Sequence, residues 1–166
     1  MFDPVLYEHE MTQLLQQAVE RLRAEYPRLV IYSLSIWTDA PAMTSAVSID
    51  TKNNSEARIA RLRAFAAEQQ TRAAAAHEPE LARLWARPIA RNTNPAEFVL
   101  REYVTIEHRA FDSRWAAEDH WQELAPALER VRNLARELFR GVPLHPEAQV
   151  AVNSPNDWYD APVALY

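Results

Sequence analysis

The sequence predicts an α+β fold, a single two-layer domain over residues 1–166 in which helices pack on a mainly antiparallel sheet. Three observations predict it. A long helical pattern opens the chain, two runs with strand alternation follow it directly, and a second long helical pattern lies near the C-terminus. This order differs from the regular strand–helix alternation of a doubly wound parallel sheet.

The composition is typical of a soluble globular domain, with 48% hydrophobic and 25% charged residues in a chain of 166. The absence of cysteine excludes disulfides, thiolate metal sites and cysteine nucleophiles. A single glycine excludes a dinucleotide fingerprint and a phosphate loop, since each needs at least two. The net charge of −5 argues against nucleic-acid binding. We therefore expect no cofactor and no nucleic-acid partner.

The first four residues contain an acid and a proline rather than the basic start of a signal peptide. No apolar run approaches the ~20 residues that a membrane-spanning helix needs. Together with the absence of cysteine, these features predict a cytoplasmic protein that does not contact a membrane.

A first helix is predicted over residues 4–25. Asp3 is suited to cap it, and Pro4 to occupy its first position. Apolar residues then recur at the spacing of one helix face, with Glu, Gln and Arg between them. Pro27 cannot continue the helix and disfavours helical backbone at the residue before it.

Two strands are predicted next, over residues 29–37 and 43–49. The first run is β-branched and aromatic, and both runs alternate between the two faces of a strand. The residues between them contain no glycine for a two-residue turn. We therefore expect a hairpin with a longer loop.

The middle of the chain is predicted to be helical. Ser55 is suited to cap a second helix that ends before Pro79, and Pro79 to start a short one that ends before Pro88. Asn94 begins a capping-box pattern, yet residues 98–106 are rich in strand formers. We expect one helical turn followed by a strand.

The last long helix is predicted from a continuous apolar stripe over residues 121–138. Pro126 lacks a backbone donor and predicts a kink or a break there. Gly141 stands where a left-handed C-cap is expected. Residues 148–152 suggest a short final strand, and an aromatic tail follows over residues 153–166.

One group of residues has the chemistry of a reaction centre. Two histidines and two acids lie close in the chain, and such groups bind metals or transfer protons. The other interpretation is a solvated helix start, because acids near a helix N-terminus suit its dipole. A small hydrolase or metal-assisted enzyme is thus the alternative function, on His108, Asp112, Asp119 and His120.

A second group has the chemistry of a protein-binding surface. Exposed aromatic residues bordered by acids are good anchors for a basic protein. The alternative is a tail that folds back and covers the core. We place partner binding first on Asp157, Trp158, Tyr159 and Asp160, and second on the hairpin residues Trp37, Thr38 and Asp39.

The strand motifs resemble a bacterial domain family of unknown function. The likeness covers a strand ending in aromatic-Thr-Asp, a second strand ending in a polar-Thr pair, and two later elements. These are residues 31–39, Met43-Thr44, Asp50-Thr51, Pro95-Ala96-Glu97-Phe98 and Phe139-Arg140-Gly141. The family is similar to small α+β domains encoded beside polymorphic toxins, some of which are immunity proteins. The resemblance implies a role in binding and neutralising a toxin domain.

We therefore expect a non-enzymatic protein-binding module of immunity type, which covers the active site of a toxin. The negative charge of the chain suits a basic partner, such as a basic toxin domain, through electrostatic steering.

Overall fold

The sheet has five strands in the order β3-β2-β1-β4-β5 in a computed structural model that describes residues 2–112, 121–154 and 158–166. Its strands are β1 (Ile31–Asp39), β2 (Thr44–Asp50), β3 (Leu100–Glu107), β4 (Leu144–Val152) and β5 (Asp160–Ala164). The helices of the described residues are α1 (Pro4–Glu25), α2 (Lys52–Ala75), α3 (Pro79–Trp85) and α4 (Trp121–Leu138). Short 3₁₀ turns cover Pro95–Glu97 and Phe139–Gly141.

Strand pairing makes the sheet mixed but mostly antiparallel. β1 pairs antiparallel with β2, β2 with β3, and β4 with β5, whereas β1 and β4 run parallel. The predicted α+β class, with helices on a mainly antiparallel sheet, is thereby confirmed.

The chain divides into two compact units. The first joins Met1–Lys52 to Thr93–Tyr166 and contains the sheet with α1 and α4. The second, Asn53–Asn92, contains α3 and nearly all of α2. The single domain over residues 1–166 stays a prediction beside this division.

The core of the first unit lies between its two helices and one face of the sheet. α1 contacts both α4 and the strands, because its apolar stripe is buried along its whole length. Each fully buried aliphatic side chain contributes ~1.5–3 kcal/mol relative to an exposed one. The largest fully buried side chains here are Tyr7, Phe139, Met11, Leu14, Leu15, Ile31, Leu34, Ile36, Ile49, Leu124, Leu128 and Leu165.

The opposite face of the sheet is built from small side chains. Ser33, Ser35 and Ser48 are fully buried there, as is Ala151. Ala151 packs with Phe98 and with Tyr159, which belongs to the tail. The small residues let that tail approach the sheet closely.

The hairpin between β1 and β2 turns without glycine, as predicted. Met43 takes a positive φ of 53°, a conformation that glycine usually supplies. The carboxylate of Asp39 accepts a hydrogen bond from the backbone N–H of Ala42 at 3.0 Å, which stabilises the turn.

The second unit corrects one predicted cap. α2 begins at Lys52, so Ser55 lies inside the helix instead of capping it. The Ser55 hydroxyl is buried and accepts a hydrogen bond from the backbone N–H of Asn92 at 3.0 Å. Its role is therefore to hold a distant segment of the same unit. α3 starts at Pro79 and ends before Pro88, as predicted.

The C-terminal part confirms some predictions and corrects others. The single turn at Pro95 and the strand after it are confirmed, with Asn94 as the cap. α4 runs through Pro126 without the break that was one of the two expected outcomes. Buried Leu124 and Leu128 flank the proline, so core packing holds the helix across the lost hydrogen bond. The strand predicted to be the last one is followed by another, because the aromatic tail contains β5.

Gly141 is not the left-handed cap that the sequence predicts. No glycine has a positive φ, and Gly141 ends a 3₁₀ turn after α4. A Cβ at this position would overlap Nη2 of Arg23. Space for the arginine, and not backbone freedom, therefore distinguishes this glycine.

Among the described residues, no helix has both the length and the apolar character required to span a bilayer.

We predict that Asp3→Ala lowers the free energy of unfolding by about 1 kcal/mol. The Asp3 carboxylate accepts hydrogen bonds from the backbone N–H groups of Val5 and Leu6 at 3.1 and 3.0 Å, and alanine cannot replace them. Urea denaturation measures the loss. Asp3→Asn keeps an acceptor and serves as the control; equal stability of the alanine variant and wild type would contradict the capping role.

Candidate functional site

Two tryptophans from distant parts of the chain stack at the hairpin end of the sheet. The rings of Trp37 and Trp158 lie 5.3 Å apart between centroids and 27° from parallel. Trp37 is half-buried, and Trp158 is 51% exposed. The structure thus brings together the first and second choices of the sequence prediction.

Hydrogen bonds hold the segment that carries Trp158 against β1. The Ser35 hydroxyl donates to the carbonyl of Trp158 at 3.2 Å. The Asn153 side chain accepts from the backbone N–H of Thr38 at 2.8 Å and donates to the Thr38 carbonyl at 3.0 Å. This two-sided contact imitates a strand pairing and fixes the backbone of β1 next to Trp37.

Two acidic residues lie on the same face of the sheet as Trp37. Trp37 and Asp39 alternate with Thr38 along β1 and so lie on one face of the sheet. Asp39 is paired in register with Thr44, which is paired with the exposed Glu107 of β3. We call Trp37, Asp39, Glu107 and Trp158 the tryptophan surface.

The other residues proposed for partner binding have different positions. Thr38 and Tyr159 are buried, 2% and 4% exposed, so they support the surface from beneath. Tyr159 packs edge-to-face with Phe98 at 6.2 Å. Asp160 is exposed at the start of β5. Asp157 lies outside the described residues.

Beneath the tryptophan surface, a continuous row of polar side chains crosses the core. Tyr7 bonds Thr38 at 2.6 Å, Thr38 bonds Ser45 at 2.7 Å, and Ser45 bonds Nε2 of His108 at 2.6 Å. Nδ1 of His108 bonds the Glu10 carboxylate at 2.9 Å. We call these five residues the buried polar chain.

The far end of the buried polar chain is a carboxylate. Burial would raise the pKa of Glu10, but hydrogen bonds from His108 and Arg109 outweigh it and lower that pKa. The backbone N–H and Nε of Arg109 donate to Glu10 at 3.1 and 3.3 Å. Glu10 is therefore ionised, and its charge is shared with an arginine whose side chain is 82% exposed.

The ionised carboxylate sets the direction of every hydrogen bond in the row. Burial lowers the pKa of His108, only partly offset by Glu10, so the imidazole is neutral. With Nδ1–H donating to Glu10, Nε2 accepts from Ser45. Ser45 then accepts from Thr38, and Thr38 from Tyr7, whose pKa is raised by burial.

Ser45, His108 and Glu10 have the connectivity of a serine nucleophile, its base and the orienting acid. A nucleophile must also reach its substrate. Ser45 has no exposed surface, and the rings of Tyr7 and Phe111 lie 5.0 and 5.4 Å from the His108 ring. In this geometry the three residues satisfy one another inside the core.

The structure describes two residues of the alternative catalytic cluster, His108 and Asp112. His108 is buried in the polar chain, and Asp112 is half-buried nearby in sequence. Asp119 and His120 lie outside the described residues. Among the residues that are described, no group of three His, Asp or Glu side chains could hold a metal ion.

Sequence reasoning missed Tyr7, Glu10 and Ser45 as partners of His108. A signal was present, because Glu10 interrupts the apolar stripe of α1. Ser45 likewise shares a strand face with buried Val47 and Ile49. Polar groups at core positions require partners, which points to a network.

Comparisons with protein-family models, with curated proteins and with solved structures find no match for this chain.

We predict that Ser45→Ala lowers the free energy of unfolding by ~1–3 kcal/mol, because Nε2 of His108 loses its donor and the Thr38 hydroxyl loses its acceptor. Thermal and urea denaturation measure the loss. A fluorophosphonate probe should leave Ser45 of the native protein unlabelled, because its hydroxyl is fully buried. Labelling that disappears in the alanine variant would show an accessible nucleophile instead.

We predict that stability falls as the pH drops below about 6.5. The pKa of His108 is lowered in the folded state, so the unfolded chain binds a proton there before the native protein does. The contribution of His108 is complete above the unfolded pKa and is lost on acidification. Urea denaturation between pH 8 and 5 measures the free energy of unfolding at each pH. His108→Gln should reduce its dependence on pH, and the control His9→Gln, at an exposed histidine, should leave that dependence unchanged.

Proposed function

We propose that this protein binds a basic protein partner through the tryptophan surface. The observation that supports the proposal best is the half-exposed stacked pair of Trp37 and Trp158, with Asp39 and Glu107 on the same face of the sheet as Trp37. Tryptophan is enriched among the residues that dominate binding energy at protein interfaces. A partly exposed pair of indoles thus supplies an anchor with a large contact area.

The distribution of charge supports a basic partner. Residues 53–92 contain seven arginines and four glutamates, a net charge of +3. The whole chain has −5, so the unit that carries the tryptophan surface has −8. This unit is thus more acidic than the overall charge indicates. A strongly negative surface accelerates encounter with a positive partner and disfavours acidic ones.

The chemistry of the tryptophan surface suits arginine and lysine side chains. An indole face attracts a cation, and the neighbouring carboxylates of Asp39 and Glu107 add charge-assisted hydrogen bonds. Because stacking on Trp37 and the hydrogen bond from Ser35 already order Trp158, less conformational entropy is lost on binding. The partner is therefore a protein that presents basic side chains around an apolar centre.

Within this proposal, the role is of immunity type: the partner is a toxin domain whose basic active site is covered. The resemblance of the strand motifs to domains encoded beside toxins supports this part, together with the charge of the first unit. A nuclease domain is the clearest example, because its substrate is an anion and its active site is correspondingly basic.

The second candidate function is a hydrolase that uses Ser45, His108 and Glu10. Their hydrogen-bond connectivity favours it. The complete burial of Ser45 weighs against it, since a substrate carbonyl would have to enter the packed core. We therefore propose a non-enzymatic function, with the buried polar chain as its support.

The test compares matched variants in partner capture. Wild-type protein, Trp158→Ala and Leu84→Ala serve as baits, because Trp158 and Leu84 are similarly exposed, at 51% and 49%. The partner is identified by mass spectrometry, purified and titrated calorimetrically. We expect Trp158→Ala to weaken binding about 30-fold or more, typical of a central anchor, with the melting temperature retained. Leu84→Ala should bind like wild type.

Neutralising the acids should act differently. Asp39→Asn together with Glu107→Gln should slow association and reduce the salt dependence of binding, because these charges steer the encounter. An acidic partner, or affinity unchanged by Trp158→Ala, would contradict the proposal. Loss of affinity in Leu84→Ala alone would place the interface in the second unit.

A further inference from the structure

A small cavity opens at the end of α1, between that helix, the start of β1 and the turn that follows α4. Its volume is about 120 Å³. Apolar side chains make most of its wall, among them Leu22, Leu29, Ile31 and Val142. Leu22, Ile31 and Val142 belong to the core, so the wall is held in place by the packing of the first unit.

The size and the lining favour a compact apolar group. An engineered cavity of about 150 Å³ lined by aliphatic and aromatic side chains stays dry and binds benzene. A cavity of about 120 Å³ that opens to solvent accommodates one ring or a branched aliphatic chain of similar size. The remainder of such a ligand would extend towards the opening.

One cation lies at this cavity, the guanidinium of Arg23. Within the described residues, no carboxylate lies at ion-pair distance from it, and its hydrogen bond to the Gly141 carbonyl is long, at 3.5 Å. Arg21 on the same helix differs, because Glu25 binds it through two hydrogen bonds at 2.8 and 3.1 Å. Arg23 thus retains donors for a carboxylate from outside.

The only glycine of the sequence makes room for this cation. A Cβ at residue 141 would overlap Nη2 of Arg23, so the guanidinium occupies space at the cavity that any other residue there would fill. The backbone of Gly141 has no positive φ, and its conformation by itself would accept another residue. The missing side chain at Gly141 leaves room for the long side chain of Arg23, which places a positive charge beside an apolar cavity.

We infer that this cavity binds a small monocarboxylate with an aromatic or branched aliphatic body, the body among Leu22, Ile31 and Val142 and the carboxylate on Arg23. A guanidinium binds a carboxylate through two parallel hydrogen bonds, which fixes the orientation of the ligand. Apolar contact supplies the rest of the binding free energy. The site is separate from the residues of the tryptophan surface, and the inference does not depend on the proposed function.

The experiment is an NMR titration of the 166-residue chain with benzoate, phenylacetate and 4-methylpentanoate. Benzyl alcohol lacks the charge and acetate lacks the apolar body, so they are the ligand controls. We expect saturable shifts for the aromatic or branched carboxylates, centred on the methyl groups of Leu22, Leu29, Ile31 and Val142. Benzyl alcohol and acetate should each bind at least about tenfold more weakly.

Three variants test how much the charge of Arg23 and its position contribute to binding. Arg23→Gln should weaken benzoate binding about tenfold or more, since it removes the charged half of the contact. Gly141→Ala should weaken it too, because the added Cβ displaces the guanidinium. Arg28→Gln, at a nearby exposed arginine, should bind like wild type. Backbone spectra that overlay on wild type establish that each variant is folded.

Three outcomes would overturn the inference. The first is that none of the three carboxylates gives saturable shifts. The second is equal affinity in wild type and Arg23→Gln, and the third is equal affinity for benzoate and either ligand control. Failure here leaves the tryptophan surface untouched, because Trp158→Ala should bind benzoate like wild type.

Discussion

The ionised carboxylate of Glu10 is the constraint on which the interior of the first unit depends. It lies inside the core on α1, and its donors among the described residues come from elsewhere in the chain, from His108 and Arg109. Once it is charged, it requires a proton on Nδ1 of His108, while burial lowers the pKa of His108 and keeps the ring neutral; that tautomer in turn orients Ser45, Thr38 and Tyr7. One buried charge therefore aligns residues of α1, β1, β2 and the segment after β3.

This arrangement specifies how the elements meet. An apolar core tolerates small shifts of one layer on another, whereas a row of short hydrogen bonds breaks when a strand slips. The Thr38 side chain is part of the buried polar chain, and its backbone is hydrogen-bonded to the Asn153 side chain. The support of the tryptophan surface is thus continuous with the buried charge. Trp37, next to Thr38 in β1, is held by this support, and Trp158 stacks on it.

The predictions that were confirmed concern signals that lie within a few residues of one another. α1, α3 and the turn at Pro95 have their start signals in neighbouring residues, Asp3 with Pro4, Pro79, and Asn94. The predictions that were wrong involve long-range partners. Ser55 bonds Asn92 instead of capping its helix, and Gly141 accommodates Arg23 instead of reversing the backbone. A cap motif and a distant contact use the same residue types, so sequence spacing does not distinguish them.

The sequence by itself determined the α+β class, the first helix, the hairpin and the aromatic character of the surface. These features follow from periodicity and from caps, which act over a few residues. Only the tertiary structure decided that Trp37 stacks on Trp158 and that Glu10 bonds His108, 98 residues away. It likewise decided that Thr38 and Tyr159 are buried. Contacts of this kind depend on strand order and register, which the packing of the whole first unit sets and no local pattern encodes.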